Sequence, residues 1–351
     1  MTVAPQQRRL FILSLVATCL SVVVVGLGAW TRLVHAGLGC PDWPGCYGFL
    51  TVPNEAHEIA TAQTRFPDDP VDIFKGWAEM IHRYVAGTLL LLVAAIAVFA
   101  WRARKQSSEH RLPLKLPLFI LGLIICQALF GMWTVTLKLW PQVVTAHLLG
   151  GFATLSLLLL LTLRLSPLSV KTLSGPPVTT LKRLGGVALL VVIFQVFLGG
   201  WTSSNYAALA CPDFPTCHGV WLPELDFAEG FDLAQSIGPN YLGGQMDSAA
   251  RTAIHFVHRI GAVATTVIVL LMIAAAFLWL RRTPRNDKSL PLLTVLVTLA
   301  LGVQVALGIS NILFYLPLPV AVAHNLGGAF LLATIIAFNY RLSAVNRNTV
   351  A

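Results

Sequence analysis

Gly76-Trp-Ala-Glu-Met-Ile-His-Arg-Tyr-Val-Ala-Gly87 opens a long apolar run and sets Glu79, His82 and Arg83 just inside it. Ionisable side chains inside a bilayer are expensive to place, so three within five positions point to function. Arg251-Thr-Ala-Ile-His-Phe-Val-His-Arg259 repeats the pattern, with His258-Arg259 where His82-Arg83 fell and His255 where Glu79 fell. The chain around these stretches is 56% hydrophobic and only 11% charged over 351 residues. A soluble domain carries roughly 25% charged residues, so the chain is an integral membrane protein.

Apolar runs long enough to cross a bilayer (~20 residues) fall at about 10–31, 77–101, 113–136, 143–164, 181–202, 251–280, 290–313 and 319–340. The fold class is therefore all-α, with eight transmembrane helices. The first run is too long for a signal-peptide core and no small-residue cleavage site closes it. The formal charge of +9 excludes nothing by itself, but its placement does. Arg8, Arg9, Arg102, Arg104, Lys105, Lys182, Arg281 and Arg282 lie at the termini and in alternate loops, whereas Asp42, Glu55, Glu58, Asp213, Glu224 and Asp232 lie in the others. Lys and Arg stay on the cytoplasmic side, which puts both termini inside. The basic charge reports topology and gives no reason to expect nucleic acid.

The two halves echo each other. Gly28, Trp30, Thr31, Cys40, Pro41, Asp42, Pro44 and Cys46 recur as Gly199, Trp201, Thr202, Cys211, Pro212, Asp213, Pro215 and Cys217, at a constant offset of 171. Gln127, Gly131 and His147 recur as Gln304, Gly308 and His324, at an offset of 177. Four helices per half is an even number, so the halves are expected to be parallel repeats about an axis along the membrane normal. The expected layout is one four-helix bundle at 1–165, a cytoplasmic linker at 166–180 and a second bundle at 181–351.

His82, His147, His258 and His324 open the even-numbered spans, five to seven residues in from Gly76, Pro141, Arg251 and Pro319. At ~1.5 Å per residue this places all four ~8–10 Å below one surface. Imidazoles facing each other across a bundle suit the two axial positions of a haem iron, as His82 with His147 and His258 with His324. A single intramembrane histidine more often just hydrogen-bonds a neighbouring helix; four at matching depth in a duplicated frame argue otherwise. Zinc or copper would want a denser Cys/His/Asp cluster. Small residues such as Ala86, Gly87, Gly150, Gly151, Gly261, Gly327 and Gly328 would admit a flat macrocycle, although glycine also serves helix packing.

Arg83 and Arg259 are placed either to pair with haem propionates or to snorkel to headgroups. Glu79 stands three residues before His82 on the same helix face, where a carboxyl can serve as acid/base or hold a substrate group; the plain alternative is a salt bridge to Arg83 or Arg251. Cys40 with Cys46 and Cys211 with Cys217 read as disulfides in outside loops, structural or redox-active. Cys19 and Cys126 read as small apolar fillers. His35, His57, His110 and His218 receive no ligand role, though His35 and His218 lie where a haem edge is within reach.

On Glu79-Met-Ile-His82-Arg83, His147, His258-Arg259, His324 and the paired loop cysteines, nearly the whole chain resembles the haem A synthase family. The resemblance implies a resident haem b held by His258 and His324, and haem O as substrate at His82 and His147. Its C8 methyl is oxidised to a formyl group by successive hydroxylations, giving haem A for cytochrome oxidase, with Glu79 in catalysis. It also implies a bacterial inner-membrane location, haem O synthase as upstream supplier, a still unidentified electron donor and the option of a homo-oligomer. His255 is not a ligand the resemblance carries over. The rival readings are a di-haem cytochrome b-type carrier passing electrons from quinol, which leaves Glu79 without a task, and a haem transporter or chaperone.

Overall fold

Why the apolar runs become helices follows from the solvent: inside lipid each backbone N–H and C=O must be paired within the segment. A computed structural model describes residues 5–106, 112–166, 176–282 and 288–343. Its elements are α1 (Pro5–Leu33), α2 (Ala56–Arg65), α3 (Ile73–Gln106), α4 (Lys115–Thr136), α5 (Pro141–Leu165), α6 (Pro176–Ser204), α7 (Phe227–Gly230), α8 (Ser248–Arg282), α9 (Ser289–Leu313) and α10 (Leu318–Ser343). All but α2 and α7 are long and apolar enough to cross a membrane, eight in all among the described residues. There are no strands among them, only isolated bridges at Cys46–Phe49 and Cys217–Val220. The helices present apolar side chains outward as lipid requires: Leu91 is 72% exposed, and Phe119, Leu190 and Val263 are exposed too.

The spans run a few residues beyond the apolar runs, and local chemistry explains why. The Lys75 N–H donates to Asp72 Oδ1 (3.0 Å), a carboxylate cap that starts α3 at Ile73. Pro141 takes the first position of α5, where a missing N–H costs nothing. Of the expected linker, 176–180 are helical as the start of α6, and 167–175 lie outside the described residues, as does His110. Neither short helix was expected in the acidic loops. Glu58 accepts the N–H groups of Asn54 (3.0 Å) and Glu55 (3.2 Å) at the start of α2, and Asp226 accepts the Glu229 N–H (3.0 Å) at α7.

Helix α1 packs on α3 and α5, and α4 on α3 and α5; likewise α6 packs on α8 and α10, and α9 on α8 and α10. Leu10, Ala17, Val93, Ile96, Ile120, Leu158 and Leu161 fill the first set, and Val269, Met272, Val297, Ile335 and Phe338 the second. Helices α1, α5, α6 and α10 form the seam between them. There the Thr145 and Ser204 hydroxyls lie 3.0 Å apart, Arg32 donates to the Ser203 carbonyl (2.5 Å), and the His35 and Tyr206 rings stack at 5.6 Å. Position 32 meets 203 and position 35 meets 206, the same offset of 171 that relates the two sequences.

The outer loops lie hard against the helix starts. A Cβ on Gly39 would stand 2.5 Å from the Lys75 carbonyl carbon and oxygen, and backbone cannot yield as a side-chain end can. Replacing Gly39 with Ala should cost about 1–3 kcal/mol through overpacking and lower the melting temperature of the detergent-solubilised protein. Gly87→Ala meets nothing within 4 Å and should leave it unchanged or slightly raised. Equal melting temperatures for both variants would contradict this packing.

Candidate functional site

Each of the four histidines rests against a glycine of the preceding membrane helix. A Cβ on Gly28 of α1 would meet His82 Cε1 of α3 at 3.0 Å, and one on Gly131 of α4 would meet His147 Cε1 of α5 at 3.5 Å. The contact recurs between Gly199 of α6 and His258 of α8 (3.3 Å) and between Gly308 of α9 and His324 of α10 (3.1 Å). The glycine spacing seen in the sequence thus has a physical cause: it opens room for an imidazole inside the helix packing. His82 and His147 lie within electrostatic range of each other, as do His258 and His324. All four are half-buried rather than sealed in core.

The chemistry of these rings fits an added ligand. The Nδ1 atoms of His82, His147 and His324 are buried without a hydrogen-bond partner, whereas buried polar groups are ordinarily paired. Two convergent imidazoles with unclaimed nitrogens and glycine at their backs suit the axial positions of an iron porphyrin. They do not suit a bare metal ion: among the described residues no group of three His, Cys, Asp or Glu side chains converges.

Above each pair sits a disulfide hairpin. Cys40–Cys46 and Cys211–Cys217 are both bonded. Tyr47-Gly48 and His218-Gly219 follow with positive φ at both residues, and Cys46 and Phe49 exchange backbone hydrogen bonds (2.8 and 3.0 Å), as a two-residue hairpin turn requires. Asp42 accepts the N–H groups of Tyr47 (2.6 Å) and Gly48 (2.8 Å); Asp213 accepts those of His218 (2.6 Å) and Gly219 (3.0 Å), and the Thr216 hydroxyl (2.5 Å). These donors hold the Asp213 carboxyl down at about 2. Tyr47, its hydroxyl on the Pro70 carbonyl (3.0 Å), is pushed up to about 12 by burial and by the carboxylates of Asp69, Asp72, Glu79 and Asp42.

Glu79 joins hairpin to helix. Its Oε2 accepts the Cys40 N–H (3.0 Å) and its Oε1 pairs with Arg83 (2.5 Å), so the salt bridge foreseen as the plain alternative is present. Arg83 also donates to the carbonyls of Asp42 (3.0 Å) and Gly45 (2.5 Å). In the second half His255 takes the same place, with Nδ1 accepting the Cys211 N–H (3.2 Å) and Nε2 facing Arg259 Nε (3.2 Å). A neutral imidazole has one acceptor nitrogen, so only one of these contacts is a hydrogen bond at a time, whereas a carboxylate serves both donors at once. Arg259 also donates to the carbonyls of Cys211 (2.7 Å), Asp213 (2.8 Å) and Thr216 (2.8 Å). Propionates or headgroups were the partners expected for these guanidiniums; most of their donors go to the hairpins.

Two features escaped the sequence reading. His35 stacks on Tyr206, and His218 occupies a hairpin turn. The glutamines are the larger omission: Gln195 Nε2 lies 3.1 Å from His258 Nδ1, Gln304 Nε2 lies 3.5 Å from His324 Nε2, and Gln127 reaches toward Gly150. A polar residue in mid-span was the available signal. Cys19 and Cys126, read as small apolar fillers, are exposed on helix surfaces and face outward where lipid would lie.

The chain matches the COX15-CtaA family model, described as Cytochrome oxidase assembly protein, over residues 11–336. It is 48% identical over 322 residues to a Heme A synthase of Shewanella oneidensis, covering 92% of this chain and 93% of that one. A Heme A synthase of Halalkalibacterium halodurans is 25% identical over 93% of this chain and 94% of its own, and one of Chelativorans sp. is 28% identical over 90% and 86%.

The Asp213 carboxylate is depressed in the folded hairpin, so its contribution is present above the ordinary carboxylate range and is lost as pH falls toward about 2. Reduction of Cys211–Cys217 by a phosphine should accelerate between about pH 4 and pH 2, and Asp213→Asn should bring that acceleration to neutral pH. A rate independent of both would contradict the hairpin's anchoring.

Proposed function

The chain belongs to the COX15-CtaA family of cytochrome oxidase assembly proteins, and on that premise we propose that it acts as a haem A synthase. It is a multi-pass membrane oxidoreductase that converts haem O to haem A by oxidising the C8 methyl group to a formyl group through successive hydroxylations. The observation that carries the assignment of residues is the set of four glycine-backed imidazoles, three with an unclaimed buried Nδ1.

In this reading the first half, residues 1–165, takes haem O between His82 and His147, and the second half, 181–351, keeps a haem b between His258 and His324. Bound iron porphyrin supplies the electron-transfer chemistry that no side chain here possesses. The protein's own residues bind, orient and move protons. The histidines would hold the iron of each bound porphyrin. Arg83 and Arg259 hold the disulfide hairpins down over the sites and leave unused N–H donors for propionates. Each oxidation of the methyl group removes two electrons from it and moves protons, and Glu79 is the group placed to exchange a proton at its carboxyl oxygens. The Cys40 N–H and Arg83 keep that carboxyl in position. His255 cannot reproduce this arrangement, because it has a single acceptor nitrogen, which suits a site that relays electrons and transforms nothing.

The hairpins face outward in a bacterial inner membrane, with both termini cytoplasmic, as the Lys/Arg distribution favours. A haem O-forming enzyme supplies the substrate, and a redox partner accepts or donates the electrons.

Glu79→Gln should leave haem bound while haem A formation falls by a factor of ~10²–10⁴, the usual worth of a general acid/base. Haem extraction and chromatography after expression with haem O supply measure this, and undiminished haem A would remove Glu79 from catalysis. His258→Ala or His324→Ala should abolish the resident low-spin haem b spectrum, and an unaltered spectrum would refute the ligand pairing.

A further inference from the structure

Helices α8 and α9 leave a groove of about 550 Å³ between them, toward the end of the bundle where α8 stops and α9 begins. Ala274 and Phe277 of α8 and Thr294, Val295, Thr298 and Leu299 of α9 line it. Phe277, Val295 and Leu299 are each more than half exposed, so the groove opens to the lipid side rather than into the core. Its two hydroxyls are already engaged: Thr294 donates to the Leu290 carbonyl (2.8 Å) and Thr298 to the Thr294 carbonyl (2.8 Å). What remains is apolar surface, which hydrocarbon fills without leaving a polar group unpaired. The end of the groove is different. One turn beyond Phe277, the Arg281 guanidinium stands 4.3 Å from the centre of the Phe277 ring, so charge and lining are in contact. Arg282 follows, and Lys288 caps the start of α9. All three are exposed, and none pairs with an acid among the described residues. A guanidinium stacked on a ring keeps its N–H donors free at its edge. In the first half Lys105 stands 5.7 Å from the Trp101 ring centre, 176 residues before Arg281 and Phe277, so a basic residue over a ring is common to both halves. Position 274 is not: Val98 stands at the matching place, with an isopropyl group where Ala274 has a single methyl.

We propose that this groove is the binding site of one anionic phospholipid, with an acyl chain against Ala274, Phe277, Val295 and Leu299 and the phosphate held by Arg281, Arg282 and Lys288. A guanidinium offers a phosphate two parallel N–H donors, which a lysine cannot do. The sequence from 281 to 288 carries four basic residues against one acid, Asp287, so a net negative headgroup is the complementary one. Groove and charges select together, which distinguishes this site from ordinary boundary lipid. A lipid with a neutral headgroup leaves the cations unanswered, and a free phosphate leaves the groove unfilled. Phe277 lies ~28 Å along α8 from His258 at 1.5 Å per residue, so what the histidines hold has no bearing on this site.

The experiment is native mass spectrometry of the purified full-length holoprotein in detergent, titrated with dioleoyl-phosphatidylglycerol and, separately, with dioleoyl-phosphatidylcholine. One phosphatidylglycerol should stay bound under activation that strips the choline lipid. Arg281→Gln with Arg282→Gln should weaken its binding ~30-fold, the effect of removing two basic side chains from beside an anionic headgroup. Ala274→Trp fills the groove with the charges intact and should weaken the same binding. Arg104→Gln with Lys105→Gln removes equal charge from the first half and should leave it unchanged. Wild-type binding in either groove variant would overturn the proposal. An equal loss in the first-half variant would also overturn it, because basic residues would then attract anionic lipid without a site. A dimer in the wild type that disappears in Ala274→Trp would assign the groove to a second copy of the chain and overturn it as well. Should Ala274→Trp fail to fold, Val295→Trp on the facing helix decides by the same criterion.

Discussion

A ring nitrogen buried in a membrane has no water to turn to, and an unmet hydrogen bond there costs about 1–3 kcal/mol. Three Nδ1 atoms in this protein, on His82, His147 and His324, stand in that condition. Evolution could have removed the cost with leucine. Instead, glycine is set behind each ring, at Gly28, Gly131, Gly199 and Gly308, so that the imidazoles fit between helices without being sealed by them. On the reading proposed above, a bound group completes the arrangement, and a flat iron porphyrin is the group proposed for each pair.

The rest of the molecule serves that constraint. The hairpins are clamped to α3 and α8 by arginines one helical turn from Glu79 and His255, so the loops close over the ends of the bundles. Both halves carry glycine-backed histidines at matching places, and on the proposed reading a few replacements separate their duties. Glu79 against His255 changes what can move a proton at the rim. Each of these two residues stands three positions before a glycine-backed histidine on the same helix, where a change of side chain alters chemistry at little cost to the fold.

Much of this was legible in the sequence. Lipid imposes helices on apolar runs, so all eight spans could be read, and rare residues recurring at fixed offsets exposed the repeat. The glycines were visible too, but their purpose was not: Gly150, Gly261 and Gly327 make room for the carboxamides of Gln127, Gln195 and Gln304 rather than for a macrocycle directly. What stayed hidden depends on contacts between distant segments. Nothing local says that Arg83 spends its donors on the carbonyls of Asp42 and Gly45, or that Gln195 reaches across to His258. The helices α2 and α7 were missed because their few apolar residues give no span signal, and capping carboxylates rather than hydropathy define their starts.

The account depends on paired imidazoles holding iron, and hyperfine spectroscopy of the purified protein grown with 15N-histidine tests it most directly. It predicts two coordinated imidazole nitrogens on each low-spin haem. A resident haem with one histidine nitrogen or none would contradict it.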